Sequence, residues 1–349
     1  MPRVYALACL VVAVFAVVAS MAAGAARADK DAVRAVRAYR VLERVYFDRR
    51  SGDYRERAHG QAGSHAWPFS QALAATIAVA RLGDARSAAR SAVPARFRVL
   101  DRRFRVHGVY RADPGGDVYY DDNEWIAQDL LDWDSVRRSP SARRKAERIF
   151  RAVVAAWDGD PQTPCAGGVQ WTDAPANDDR NTVSTANGAV LGLRLYLLTR
   201  RAEYLRWAQR MVAWPEQCLL DPDGLYADHV RGDGTVDRTE WSYNQGSMLE
   251  AYRLLYRATG NQEDLARAEA IADATVAEFR GRWSSEPPQF AAIFFRRLLD
   301  LAADDGRSDY VAAAQRYADR LWRTAPRLLF GQAALVQMYA ALAAARGGA

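Results

Sequence analysis

Two carboxylates stand side by side in the stretch GGDVYYDDNEWIAQDLLDWDS, residues 115–135, where a glycine-rich loop runs through two tyrosines into an amphipathic helical pattern. Neighbouring carboxylates do not both ionise easily, so one of Asp121 and Asp122 is expected to hold a proton near neutral pH. One acid beside one base or nucleophile is what cleavage of a glycosidic bond requires. A separation of roughly 5–5.5 Å selects a covalent, retaining route and about 6.5–9.5 Å an inverting one. Adjacency in sequence fixes neither distance. The competing explanation is that one aspartate caps the helix and the other meets its positive end.

A rigid scaffold must position such a pair, and the apolar periodicity after residue 28 is helical almost throughout, with no period-two strand of useful length. The helices recur as similar pairs. LYLLTRRAEYLRWA (195–208) aligns with LYRATGNQEDLARA (255–268), matching Leu195 with Leu255 and Thr199 with Thr259, and LAADDGRSDYVAAA (301–314) follows the same plan. In each pair a helix rich in small and apolar residues precedes a tight turn and a more charged helix. First helices are expected near Ser70, Asp121, Thr185, Tyr243, Gln289 and Gly331, and second helices near Arg86, Ser141, Glu203, Gln262 and Ser308. The opening segment DKDAVRAVRAYRVLERVYF supplies a sixth charged helix and could pair with the terminal GQAALVQMYAALAAA. The expected fold is therefore all-α: a closed (α/α)6 barrel of six helix hairpins, apolar helices inside and charged ones outside.

The long connections, 48–69, 101–120, 158–184 and 215–242, all precede inner helices, which gathers them at one end of such a barrel. They carry Trp67, Tyr119, Tyr120, Trp171, Tyr226 and Trp241 among Asn, Asp and Gly. Aromatic faces for C–H surfaces and directional polar groups for hydroxyls suit a sugar in a concave site. Tryptophans after long loops can equally be plugs between helices.

The chain has 349 residues with a net charge of +6. Residues 1–28 read as a secretory signal: Arg3, an apolar run from Val4 to Met21, then ARA at 26–28 as a cleavage form. Its removal leaves residues 29–349 as a single domain of charge +4, with an uncleaved anchor as the alternative. Arginines are spread along helix faces, which points to solvated surfaces and away from nucleic acid. Cys165 and Cys218 are compatible with one disulfide in an exported protein, without showing that they meet. No zinc spacing occurs, and DPDG and RGDG lack the glutamate that completes a calcium loop, so no metal or other cofactor is expected.

The segments YYDDNEW (119–125), GGVQW (167–171), NTVSTANGAVLGLRLYLLT (181–199), WSYNQGSMLEAYRLLYRATGN (241–261), FAAIFFRRLLDL (290–301) and WPFSQAL (67–73) together resemble glycoside hydrolase family 76, the endo-α-1,6-mannanases, in order over most of residues 60–305. The resemblance implies an (α/α)6 barrel and metal-independent, retaining hydrolysis of α-1,6-linked mannose chains. It also implies Asp121 as nucleophile and Asp122 as general acid/base; that order of roles comes from the resemblance alone. Candidate sugar contacts are Trp67, Tyr120, Asn123, Trp171, Asn187, Trp241, Tyr243, Asn244 and Gln245. The chain departs from the family pattern at Gln170, Arg180 and the run Ala291-Ala292-Ile293-Phe294. The reading is a secreted or envelope-associated monomeric mannanase whose partner is a mannose-containing polysaccharide or glycolipid, with no stable membrane span after signal cleavage. Alternatives are an α-1,6-mannan transglycosylase, a non-catalytic mannan-binding protein, and a barrel enzyme acting on other sugars. An epimerase would call for barrel histidines, whereas His59, His65, His107 and His229 fall in loops.

Overall fold

The computed structural model describes residues 26–61, 63–83 and 87–347, so the signal segment lies outside the described residues up to residue 25. Among the described residues there are twelve helices: α1 (26–41), α2 (Ala66–Ala80), α3 (Ser87–Phe104), α4 (Tyr120–Arg137), α5 (Pro140–Ala155), α6 (Thr182–Thr199), α7 (Ala202–Cys218), α8 (Ser242–Thr259), α9 (Gln262–Glu278), α10 (Pro288–Asp305), α11 (Ser308–Thr324) and α12 (Leu329–Gly347). Neighbour packing runs α2–α4–α6–α8–α10–α12 and back to α2, a closed inner ring. The remaining six form the outer wall. No described helix is long and apolar enough to cross a membrane.

Helix character follows from place. An inner helix touches two inner neighbours and its own outer partner, so α6 buries thirteen of its residues, from Thr182 to Leu195. An outer helix exposes half its girth, and in α5 only Ala142, Ala146, Ile149, Phe150 and Val153 are buried, at helical spacing. Small residues allow the close packing of the inner ring. A Cβ on Gly246 of α8 would come within 2.8 Å of the Phe294 backbone of α10, so any side chain there pushes two inner helices apart.

The repeat is visible at the turns. α4, α6, α8 and α10 each end on a left-handed residue, Arg138, Arg200, Gly260 and Gly306, whose N–H donates to the carbonyl four residues back. Each outer helix then starts two residues later. Thr199 and Thr259, paired in the sequence alignment, both donate through Oγ1 to the carbonyl of the residue four back, at 2.7 and 2.8 Å.

The other end carries the long connections, which hold two-residue strands: β1 (Phe47–Asp48) pairs with β2 (Asp53–Tyr54), β3 (Arg105–Val106) with β4 (Val109–Tyr110), and β6 (His229–Val230) lies between β5 (Arg180–Asn181) and β7 (Val236–Asp237). A device recurs here too. The fourth residue of three inner helices takes hold of the preceding loop: Asn123 brackets the N–H and C=O of Tyr110 at 2.7 and 2.8 Å, Gln245 does the same to Tyr226 at 2.9 Å each, and Thr185 accepts from the Val169 N–H at 2.9 Å. Cys165 and Cys218 are joined by a disulfide, the question that spacing left open. Beside it the fully buried Arg180 donates to Asp158 and to the carbonyls of Pro164, Cys165, Gly167 and Arg231, which fixes the 158–168 loop on the end of α7.

Candidate active site

Asp121 and Asp122 occupy the first turn of α4, half-buried at the loop-bearing end of the barrel. Beneath them one residue from each of five inner helices closes an apolar layer: Trp67 (α2), Trp125 (α4), Val183 (α6), Tyr243 (α8) and Ile293 (α10). Phe290 bridges the aromatic part, with its ring centroid 4.2 Å from Tyr243, 5.4 Å from Trp241 and 5.9 Å from Trp67. Trp171, one of few large apolar residues left exposed, stands edge-on to Tyr119 at 5.0 Å, and its carbonyl accepts the Tyr120 N–H at 2.9 Å.

The two aspartates differ in their surroundings. Burial raises both. Around Asp121 the backbone N–H groups of Asp122 and Asp121 and the Trp171 side chain pull the other way, while the Asp228 charge pushes up, and the net result is about 7. Asp122 has no such donors; burial and the Asp121 charge hold its carboxyl well above the usual range. The pair therefore keeps at least one proton near neutral pH.

Asp228, a third carboxylate that sequence reasoning missed, accepts from Asn244 Nδ2 at 3.0 Å, from His229 Nδ1 at 3.0 Å and from the Tyr243 hydroxyl at 3.5 Å. Its signal was present as an acid next to a histidine in the aromatic loop YADHV. The Asp228 hydrogen bond, assisted by Asp179, raises the His229 pKa. His229 is thus a strand residue within the site, not a remote loop histidine. Several atoms here are buried and without a hydrogen-bond partner, Asp121 Oδ1, Asn187 Nδ2, Asn244 Oδ1 and Trp67 Nε1, while His229 Nε2 faces Asp179 at 3.6 Å. Buried polar groups are nearly always paired, so such a group of unused donors and acceptors marks where a polar ligand can bind.

Among the expected sugar contacts, Trp67, Tyr120, Trp171, Asn187, Trp241, Tyr243 and Asn244 come together at this end with the aspartates. Asn123 and Gln245 need correction: every hydrogen-bonding atom of their side chains is engaged by backbone, as described above, and they position the loops. Among the described residues no group of three or more His, Cys, Asp and Glu side chains is arranged to hold a metal ion.

The sequence model of glycosyl hydrolase family 76 matches residues 32–324. The chain belongs to this family. Its curated relatives include the mannan endo-1,6-α-mannosidase DCW1 of Candida glabrata, 31% identical over 140 residues, a match covering 37% of this chain and 30% of that protein. The namesake from Saccharomyces cerevisiae is 32% identical over 127 residues, 33% of this chain and 27% of its own length. The chain therefore matches less than a third of the length of these relatives. Among solved structures, the family 76 mannosidase Bt3792 of Bacteroides thetaiotaomicron superposes with a TM-score of 0.80 at 24% identity, covering 90% of this chain and 98% of that one. That likeness establishes the (α/α)6 barrel. Glu124, a buried acid one turn below Asp121, is given no role in the sequence reading. Both its oxygens lack partners, and burial together with the Asp121 charge raises its pKa well above the ordinary value.

Proposed function

We propose that this family 76 protein is an exported or envelope-associated, endo-acting α-1,6-mannanase that cleaves with retention through a covalent mannosyl intermediate. Asp121 acts as nucleophile and Asp122 as general acid/base. The observation that carries the reading is the place of the pair: two adjacent carboxylates in the first turn of α4, both raised by burial, with Asp121 Oδ1 buried and without a hydrogen-bond partner at the loop-bearing end. Asp121 Oδ1 attacks the anomeric carbon as Asp122 delivers its proton to the leaving glycosidic oxygen. Asp122, now ionised, takes a proton from the water that displaces Asp121 from the sugar, which restores both groups. Tyr243, kept protonated by burial and by the Asp228 and Asp121 charges, donates to Asp228 at 3.5 Å and ties that carboxylate to the site. Trp171 and Trp241 offer flat apolar surfaces along the rim, and Asn187 and Asn244 retain unpaired polar atoms for sugar hydroxyls. The names of the curated yeast relatives support the α-1,6-mannan substrate.

The test incubates residues 29–349 with linear α-1,6-mannan and follows product length and first-formed anomer by NMR, beside Asp121→Asn and Asp122→Asn. Short products released first as the α-anomer, and absent with both variants, are expected. A first-formed β-anomer would exclude retention, and no cleavage by folded protein would exclude this substrate.

A further inference from the structure

Charge is divided unevenly around the barrel. Residues 29–155 hold 25 lysines and arginines against 17 acids, whereas residues 156–349 hold 21 against 25. The excess is concentrated on three outer helices, α1, α3 and α5, which are stitched into one wall. Glu43, just beyond α1, pairs with Arg96 of α3 at 2.8 Å, and Asp101 of α3 pairs with Lys145 of α5. These contacts, with the 2.7 Å pair between Asp134 and Arg143, neutralise Glu43, Asp101 and Asp134 and leave Asp29 and Glu147 as the acids of these helices outside an ion pair among the described residues. Left on the outside are Arg37 and Arg40 of α1, Arg98 and Arg102 of α3, and Arg144 and Arg151 of α5, all exposed. None of the six belongs to an ion pair among the described residues. On the facing side of the barrel, α9 carries five acids and one arginine, so the asymmetry belongs to one wall and not to the molecule as a whole.

We propose that the α1–α3–α5 wall is a docking surface for an anionic phospholipid bilayer. The wall is convex and runs parallel to the barrel axis, so its arginines face outward over a broad area and do not converge on a groove that would thread a polymer. It lacks stacking platforms as well: the exposed large apolar residues are Val33, Trp171, Leu198 and Leu328, and only Val33 lies on these three helices. Binding is therefore electrostatic and superficial, with guanidinium groups meeting headgroup phosphates and no helix entering the hydrocarbon. Because the site opens at the end of the barrel, a bilayer against the wall leaves the mouth free. The proposal does not depend on the mannanase reading, since it concerns a surface that shares no residue with the site.

The experiment is co-sedimentation of residues 29–349, which keep all twelve helices apart from the first three residues of α1, with vesicles of phosphatidylcholine alone or with one quarter phosphatidylglycerol. Binding is expected only to the anionic vesicles and should fall steeply between 50 and 500 mM salt. Reversing Arg98, Arg102, Arg144 and Arg151 together to Glu should weaken it by at least about tenfold, with the circular dichroism spectrum unchanged. Reversing Arg206, Arg316, Arg320 and Arg323 on the other outer helices controls for net charge. If the control loses as much as the wall variant, the patch is not the binding surface. Equal binding to neutral vesicles, no binding to anionic ones, or capture by dextran sulfate with no vesicle binding would each overturn the assignment, the last in favour of an anionic polysaccharide.

Discussion

The two ends of the inner barrel are built from the same six helices and treat polar groups in opposite ways. At the loop-bearing end, Asp121, Asn187 and Asn244 leave atoms buried and without hydrogen-bond partners. About 16 Å further along α4, at the rise of an α-helix, the barrel is floored by a network in which most charges meet a partner. There Arg194 reaches Asp132 at 2.6 Å, Arg253 bridges Glu250 and Asp304 at 2.7 Å each, and Arg297 joins Glu250 to Gln128. Gln337 closes the circuit to Gln71. The acids respond accordingly. Burial pushes Asp132 and Glu250 up, but Arg194 and Arg81 hold Asp132 at about 2, and Arg253 and Arg297 keep Glu250 below its ordinary value. Asp121, Asp122 and Glu124 are all raised. Asp129 and Asp300 depart from this on the floor: burial raises both, and Asp129 Oδ2 is unpaired. The difference separates a structural polar cluster, whose groups satisfy one another, from one left open to a ligand.

That contrast is broken most sharply at the aspartates. Asp121→Asn and Asp122→Asn should each reduce mannan cleavage by about 10²–10⁴-fold with unaltered thermal unfolding. A variant that lost its activity only because it had unfolded would place the pair with the floor. The wild-type rate should rise with pH as Asp121 ionises around pH 7 and fall again when Asp122 loses its proton.

The floor should show the reverse. Arg297→Met leaves Glu250 and Gln128 without that cation and is expected to cost about 3–5 kcal/mol in urea unfolding, as for other buried pairs missing one member. Turnover per folded molecule should hardly change. Glu250 and Asp132, with lowered pKa values, contribute stability above the ordinary carboxylate range that is lost as pH falls through their folded values. A large loss of turnover without a loss of stability would mean that the chain Asn187–Gln128–Arg297 transmits the floor's arrangement to the site.

Sequence reading reached the scaffold because the repeat is written in residue types that can be aligned: Thr199 with Thr259, and charged helices after apolar ones. It singled out Asp121 and Asp122 because adjacent acids at a helix start stand out. It missed Asp228 and Glu124 for a physical reason, since nothing local shows that an acid in a loop will fold back over another helix or that a helical glutamate will face inward. Asn123 and Gln245 show the converse error. An amide near a site looks like a ligand contact until the backbone it brackets is in view. Arg180 stands out in the sequence only as a departure from the family pattern, and its role appears when five acceptors converge on it.

Asp228 tests the open end more finely. Its charge raises Asp121, so Asp228→Asn should move the acid limb of the activity profile downward by up to about one unit. An unmoved limb would show that the Asp228 charge is not felt at Asp121.

Glu124→Gln is the smallest change and the most discriminating. Glu124 lies between α4 and α6, close enough to Gly188 that a Cβ there would sit 3.2 Å from Oε1 and 3.0 Å from Met211 Sδ and Val153 Cγ1. In that apolar pocket it keeps its proton while the unfolded chain releases one. The sign follows directly: below the ordinary glutamate pKa both states are protonated and nothing is lost. As pH rises from there towards the raised folded value, the wild type loses stability relative to the amide by about 1.4 kcal/mol per pH unit. Unfolding of the two proteins should therefore coincide near pH 4 and separate towards pH 7 with the variant more stable, while mannan cleavage stays close to wild type. If the curves remain parallel across this range, Glu124 is ionised in the folded protein, and the open end holds a buried charge that the arrangement of Asp121 and Asp122 must accommodate.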